Sequence, residues 1–162
     1  MVGIGYDVHR FGEGRKLILG GVEIAHTRGL EGHSDADVLC HAIADAVLGA
    51  VGARDIGHYF PNTDQALRGM SSLEIVSKAA AVVREKGADL LNIDATLICE
   101  APKISPYIDG MRANLASALG IPLERIGVKA TTNEGLGFIG RGEGIAALAV
   151  AGVSSTHAVP SL

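Results

Sequence analysis

The chain has 162 residues, a net charge of −4, 48% apolar residues and 4% aromatics with no tryptophan. Those totals fit one domain over 1–162 with a core of Ala, Val, Ile and Leu, and the charge argues against a nucleic-acid partner. With no bilayer-length apolar run and no signal-type start, a soluble cytoplasmic protein without a membrane partner is expected, and Cys40 and Cys99 read as buried thiols of a reducing compartment.

In chain order, residues 2–6 are compatible with a strand, broken early by Asp7 and His9. "KLILGGVEI" (16–24) predicts two short strands joined at Gly20–Gly21. Residues 26–37 are polar and irregular. A helix follows over 35–51, ended by Gly52. Residues 53–70, with Gly57, Pro61 and Gly69, read as a loop. Ser71 and Glu74 fit a capping box opening a helix over 71–87, with Leu73, Val76, Ala80 and Val83 as its apolar stripe. A strand over 90–100, a helix from Ser105–Pro106 to Gly120 and a strand over 125–131 come next. A glycine-rich loop occupies 132–144. The almost uniformly apolar run 145–153 suits a strand buried on both faces, and 154–162 reads as a loose tail. The expected class is α+β: a single mixed β-sheet with helices layered on one face, and another subunit as the cover for the other face.

Asp7 and His9, two apart on a strand, share a face. Asp37, His41 and Asp45, each four apart, form one polar stripe on an apolar helix. Taken alone, that stripe fits a solvated helix face as well as a site. With His41, the strand pair becomes two imidazoles and a carboxylate with a vacant fourth position, the ligand count of a catalytic Zn²⁺. Asp45 or a backbone carbonyl is the expected partner orienting His41. His33 and Ser34 sit by the helix N-terminus, where anions are favoured, although a loop histidine alone is more often surface. Thr131 and Thr132 offer hydroxyls after a strand, and Glu134 suits a harder cation such as Mg²⁺. The glycines around them match neither the Walker pattern nor GxGxxG. Pro102 and Lys103 stand at another strand end. The sum suits phosphoryl chemistry run by electrostatic stabilisation.

The stretches "GYDVHRF", "GLEGHSDADVLCHAIADAVLGA", "DIGHYFPNTD", "EAPKI" and "VKATTNEGLGFIGRGEGIAA", in that order and nearly end to end, resemble the 2-C-methyl-D-erythritol 2,4-cyclodiphosphate synthase family of the non-mevalonate isoprenoid pathway. The resemblance implies a homotrimer with active sites at subunit interfaces. It implies Zn²⁺ on Asp7, His9 and His41, Mg²⁺ or Mn²⁺ on Glu134, and transition-state stabilisation by His33 and Thr132. Asp55, Ile56 and Gly57 would meet the sugar and methylerythritol parts, with Ser34, Phe60, Pro61, Asn62, Thr63 and Asp64 lining the same pocket. Cys99, Glu100, Ala101, Pro102, Lys103, Ile104 and Ser105, with Thr131, Thr132 and Asn133, would hold the cytidine end. Phe138 and Arg141 would lie near the substrate and the trimer axis, which is left open to an isoprenoid diphosphate. Asn62 stands where many members carry Asp, so a charged role at that position is in doubt. The implied reaction converts 4-diphosphocytidyl-2-C-methyl-D-erythritol 2-phosphate to the 2,4-cyclodiphosphate with release of CMP. A zinc hydrolase of phosphate esters and a non-catalytic trimer that binds nucleotides or isoprenoid phosphates are the competing readings of the same residues.

Overall fold

The computed structural model describes residues 1–61 and 69–155. Strand β1 (Val2–Gly12) runs twice as far as the apolar start suggests and carries Asp7 and His9 in its middle. A hairpin follows, β2 (Leu17–Leu19) and β3 (Val22–Ile24), turning on Gly20 and Gly21 with φ of +56° and +70°, as a two-residue turn demands. A two-residue strand β4 (Gly29–Leu30) pairs with the end of β1, inside a stretch that the sequence leaves irregular.

Helix α1 (Val38–Ala50) is buried almost all round, with Asp45 and Gly49 the two residues that reach the surface. A one-turn helix α2 (Ile56–Tyr59) interrupts the predicted loop. Helix α3 (Ser72–Glu85) starts where expected, but the Ser71 side chain makes no cap bond; the Ser72 amide donates to Asp35 Oδ2 at 3.1 Å instead. Strand β5 (Ala88–Ile98) leads through a turn of 3-10 helix at Ser105–Tyr107 into α4 (Ile108–Leu119). Strand β6 (Ile126–Thr131), the one-turn helix α5 (Gly137–Gly140) and strand β7 (Gly144–Ser155) complete the chain. Ser154 and Ser155 therefore belong to β7 and not to a loose tail; residues 156–162 lie outside the described residues.

Five strands form one sheet in the order β4-β1-β7-β5-β6, antiparallel except for the β5–β6 pair, which α4 connects. The β2–β3 ribbon stands apart from it. Helices α1, α3 and α4 cover one face, and Leu39, Ile43, Leu48, Ile93, Leu97, Met111, Leu115 and Ile126 are sealed between. The architecture is the expected mixed α+β one. Among the described residues, no helix is long and apolar enough to cross a membrane.

The other face is apolar and uncovered within the chain. Val2, Ile4, Tyr6 and Val8 of β1 point outward, and Tyr6 and Ile4 pair with Leu148 and Val150 of β7. Leu148 and Val150 are 39% and 38% exposed. The uniform apolarity of β7 thus reflects an inner face packed by this chain and an outer face that the chain itself leaves bare.

On its inner side β1 carries glycine where α1 crosses. A Cβ on Gly5 would sit 2.0 Å from the Ala42 carbonyl oxygen and 2.7 Å from the Ala46 nitrogen; one on Gly3 would sit 2.0 Å from the Ala46 carbonyl oxygen. These are backbone atoms of a buried helix and cannot turn aside. Gly5→Ala is expected to cost ~3 kcal/mol, the upper range for overpacking, because the whole helix must move. Denaturant titration of the metal-free variant checks this, and a loss below ~1 kcal/mol would mean that the helix shifts freely.

Candidate metal centre and substrate clefts

The inner face of β1 turns Asp7 and His9 toward α1, which presents His41 from its first turn. Asp7 Oδ2 lies 2.9 Å from His9 Nε2 and 3.1 Å from His41 Nδ1, and the two nitrogens are 3.2 Å apart. Among the described residues, this is the one cluster of three His, Cys, Asp or Glu side chains placed to hold a metal ion.

Hydrogen bonds behind the cluster decide which atoms face inward. His9 Nδ1 meets the Glu31 carbonyl at 2.5 Å; a carbonyl only accepts, so Nδ1 carries the proton and Nε2 offers a lone pair. His41 Nε2 meets Ser72 Oγ at 3.0 Å and Ser34 Oγ at 3.2 Å, leaving Nδ1 toward Asp7. Three electron-rich atoms therefore converge with room for one cation. The charge balance agrees. Burial pushes the Asp7 carboxyl up, but bonds from His41 and His9 outweigh it and hold it well below the usual carboxylate range. Burial pushes His9 down, but its bond to Asp7, the Asp7 charge and its bond to the Glu31 carbonyl together outweigh that and raise it above 6.5. A proton trapped between Asp7 and His9 is what a divalent ion would displace. Two imidazoles and one carboxylate suit Zn²⁺.

Two predicted members of the helix stripe do other work. Asp37 is the fully buried N-cap of α1, with Oδ1 accepting from the Cys40 amide at 3.1 Å and Oδ2 from the Gly21 amide at 2.8 Å, so it ties the β2–β3 turn to the helix. Burial raises its carboxyl above 3.8. Asp45 does not orient His41. Its carboxylate accepts from the Ile56 amide at 2.8 Å and anchors α2. The stripe is thus not a solvated face.

The cluster floors a cleft of about 260 Å³ walled by His33, Ser34, Ile56, Gly57, Phe60 and Pro61. Ser34 is buried, and its hydroxyl is engaged with His41, Ser72 and the Ala36 amide. Asp55 caps α2 beside the cleft, accepting from the His58 amide at 3.1 Å. Asn62, Thr63 and Asp64 lie outside the described residues. Arg15, not singled out by the sequence, donates to the Gly32 and Ser34 carbonyls at 2.6 and 2.7 Å and brackets His33 from both sides.

A second cleft of about 260 Å³ opens where β5 and β6 end, lined by Cys99, Glu100, Pro102, Lys103, Ile104, Ser105, Thr131 and Thr132. The Ala101–Pro102 peptide in its rim is cis. Burial, with the Glu100 charge adding to it, pushes the Cys99 thiol up to about 11, so this sulfur is no nucleophile at neutral pH. Glu100 Oε1 accepts the Asn133 amide at 2.8 Å and the Gly135 amide at 3.3 Å. Those bonds hold a loop in which Glu134 takes a left-handed φ of +51° and shares a 3.3 Å contact with Thr132 Oγ1. Phe138 and Arg141 are exposed beyond it, and Arg141 Nε donates to Glu143 at 2.6 Å.

The predicted site residues thus fall into two groups at one end of the sheet. β7 and β5 lie between β1 and β6, and three strand spacings of ~4.8 Å put about 14 Å between the two clefts. Within one chain Glu134 and Thr132 do not line the cleft that holds His41.

Residues 1–154 match the YgbB family. A 2-C-methyl-D-erythritol 2,4-cyclodiphosphate synthase of Alkaliphilus metalliredigens is 58% identical over 155 residues, covering 96% of this chain and 98% of that one. The enzyme of the same name from Akkermansia muciniphila is also 58% identical, over 94% of this chain and 91% of that one. A solved structure, "IspF (Plasmodium falciparum) CDP complex", superposes with a TM-score of 0.83 at 33% identity, covering 96% of each chain. The family match over residues 1–154 and 58% identity over nearly the whole chain, on a fold with a three-ligand metal-type cluster, show that the chain belongs to the YgbB family, that of the 2-C-methyl-D-erythritol 2,4-cyclodiphosphate synthases.

Proposed function

We infer that the chain catalyses the family reaction: an oxygen of the substrate's 2-phosphate attacks the β-phosphorus of its own diphosphate, the bond from that phosphorus to the CMP oxygen breaks, and CMP leaves. The observation that carries this reading is the convergence of Asp7 Oδ2, His9 Nε2 and His41 Nδ1 on one point at the floor of a cleft.

The nucleophile is already an anion, so no strong base is needed. What the protein must supply is a folded substrate and neutralised charge. Zn²⁺ held by Asp7, His9 and His41 would supply Lewis-acid neutralisation at a phosphate oxygen. Glu134 is the side chain for Mg²⁺ or Mn²⁺ beside the diphosphate. His33, held between the two carbonyls that Arg15 clamps, and the Thr132 hydroxyl are the groups for stabilising charge on the moving phosphoryl oxygens. Asp55, Ile56 and Gly57 order the methylerythritol end, and the β5–β6 cleft takes the cytidine. The CDP complex of the Plasmodium falciparum relative supports a cytidylyl ligand.

Within one chain Thr132 and Glu134 do not line the cleft that holds His41, so the reading includes a homotrimer in which the Thr132–Glu134 loop of one subunit closes the His41 cleft of the next. The bare apolar face of β1 and β7 supports that assembly. Phe138 and Arg141 then stand near the threefold axis, an apolar ring and a guanidinium suited to an isoprenoid diphosphate, and a cytoplasmic location belongs to the same reading.

Incubation of the purified chain with the cytidylyl substrate, followed by phosphorus NMR, tests it. Appearance of CMP and the cyclic diphosphate, both lost on chelation, is the expected result. Release of inorganic phosphate instead would establish a phosphoesterase, and binding without CMP would establish a non-catalytic protein.

A further inference from the structure

We propose that Ser72 and Asp35 are positioning residues for the metal centre: a relay from His41 through Ser72 to the Asp35 carboxylate fixes the His41 tautomer. The proposal rests on the metal reading only in its consequence for affinity; the relay itself is a property of the protein alone.

Ser72 is fully buried, at the first position of α3. Its Oγ stands 2.5 Å from Asp35 Oδ1 and 3.0 Å from His41 Nε2. A carboxylate accepts only, so the hydroxyl proton goes to Asp35. The remaining lone pairs of Ser72 Oγ can only accept from His41, and the Nε2 atom must therefore carry its proton. That reserves Nδ1 as the metal-facing atom: in the metal-free chain it can share a proton with Asp7 Oδ2 at 3.1 Å, and an ion that displaces that proton finds the lone pair there while Nε2 stays bonded to Ser72.

Asp35 is itself fixed. Its Oδ2 accepts the Ser72 amide at 3.1 Å, its Oδ1 the Asp37 amide at 3.2 Å, and its own amide donates to the Met70 carbonyl at 3.1 Å. The carboxylate thus joins the loop before α1 to the start of α3. Ser34 Oγ lies 3.2 Å from both His41 Nε2 and Ser72 Oγ. No carboxylate takes its proton in the same way, so it cannot dictate the tautomer.

The experiment uses ¹⁵N-histidine-labelled full-length chain, stripped of metal, with long-range ¹H–¹⁵N correlation on His41, and zinc affinity by competition with a chromophoric chelator. The parent is expected to show a protonated Nε2. Ser72→Ala is expected to move His41 to a mixture of tautomers and to weaken zinc binding by about 10–100-fold, and Asp35→Asn by about tenfold. Ser72→Thr, which keeps the hydroxyl, should restore both readouts toward the parent. A purely structural role would lower the unfolding midpoint without moving the tautomer. A folded Ser72→Ala protein with unchanged tautomer and unchanged zinc affinity overturns the proposal, as does a parent whose Nε2 carries no proton. If Ser72→Ala does not fold, the parent tautomer and Asp35→Asn decide. A parent that binds no zinc overturns the metal reading, and the tautomer then still decides the relay.

Discussion

His41→Ala is expected to abolish zinc binding and turnover together. The substitution removes the one ligand that reaches the cluster from α1, while Asp7 and His9 remain on the strand. Two ligands on one strand face hold zinc poorly, because the ion prefers four donors and the cleft would then have to supply two waters. Turnover should fall by roughly 10²–10³ or more, the range seen when a main electrostatic contact to a transition state is lost. The fold should survive. The hydroxyls of Ser34 and Ser72 lose a partner, which costs ~1–3 kcal/mol. Metal analysis, steady-state CMP release and a thermal midpoint on the same preparation check the three parts. Full activity in a zinc-free preparation of this variant would remove the ion from the mechanism.

Mixing two dead variants should restore activity. Thr132→Ala is impaired through the β5–β6 cleft and His41→Ala through the cleft beside α1, and the two clefts belong to different neighbours if one substrate spans a subunit interface. In trimers assembled at random from equal amounts of both, about a quarter of interfaces pair two unaltered half-sites. Co-expression with two affinity tags, purification of the mixed species and assay of CMP release give the readout. Each purified mixed trimer keeps one intact interface of its three, so recovery to about a third of the parent rate per site supports the composite centre. Mixed trimers as inactive as either parent variant would place the whole site within one chain and reject the shared-interface reading.

Local features of this chain were legible before its coordinates were. Asp7 and His9 share a strand face because the pleat repeats every two residues, and the Gly20–Gly21 hairpin and the Gly120 end of α4 follow from turn and cap chemistry, whereas the expected start at Ser105–Pro106 became a 3-10 turn ahead of the helix. The stripe on α1 was legible only as a spacing. Whether it faced water depended on the sheet and α3 packing around the helix, and Asp37 turned inward as a cap while Asp45 took an amide of α2. The partners of His41 left no local signal at all. Ser72 is 31 residues away from His41, and Asp35 is a further contact across 37 residues. Ser71, one position earlier, looked like the serine that mattered, because a capping box is a local pattern and a buried relay is not. Arg15 escaped notice for the same reason: it reaches carbonyls 17 and 19 residues on, and carbonyls carry no sequence identity.

The bare inner track of β1 has a consequence beyond packing. Gly5 leaves no room for a Cβ against the carbonyl of Ala42, the residue next to His41, and stands two residues before Asp7. The clearance at that glycine is therefore the gauge of the ion's seat: it sets how far the imidazole on the helix stands from the carboxylate on the strand. Widening that gauge by one methyl would detune the coordination sphere from beneath, without altering a single ligand.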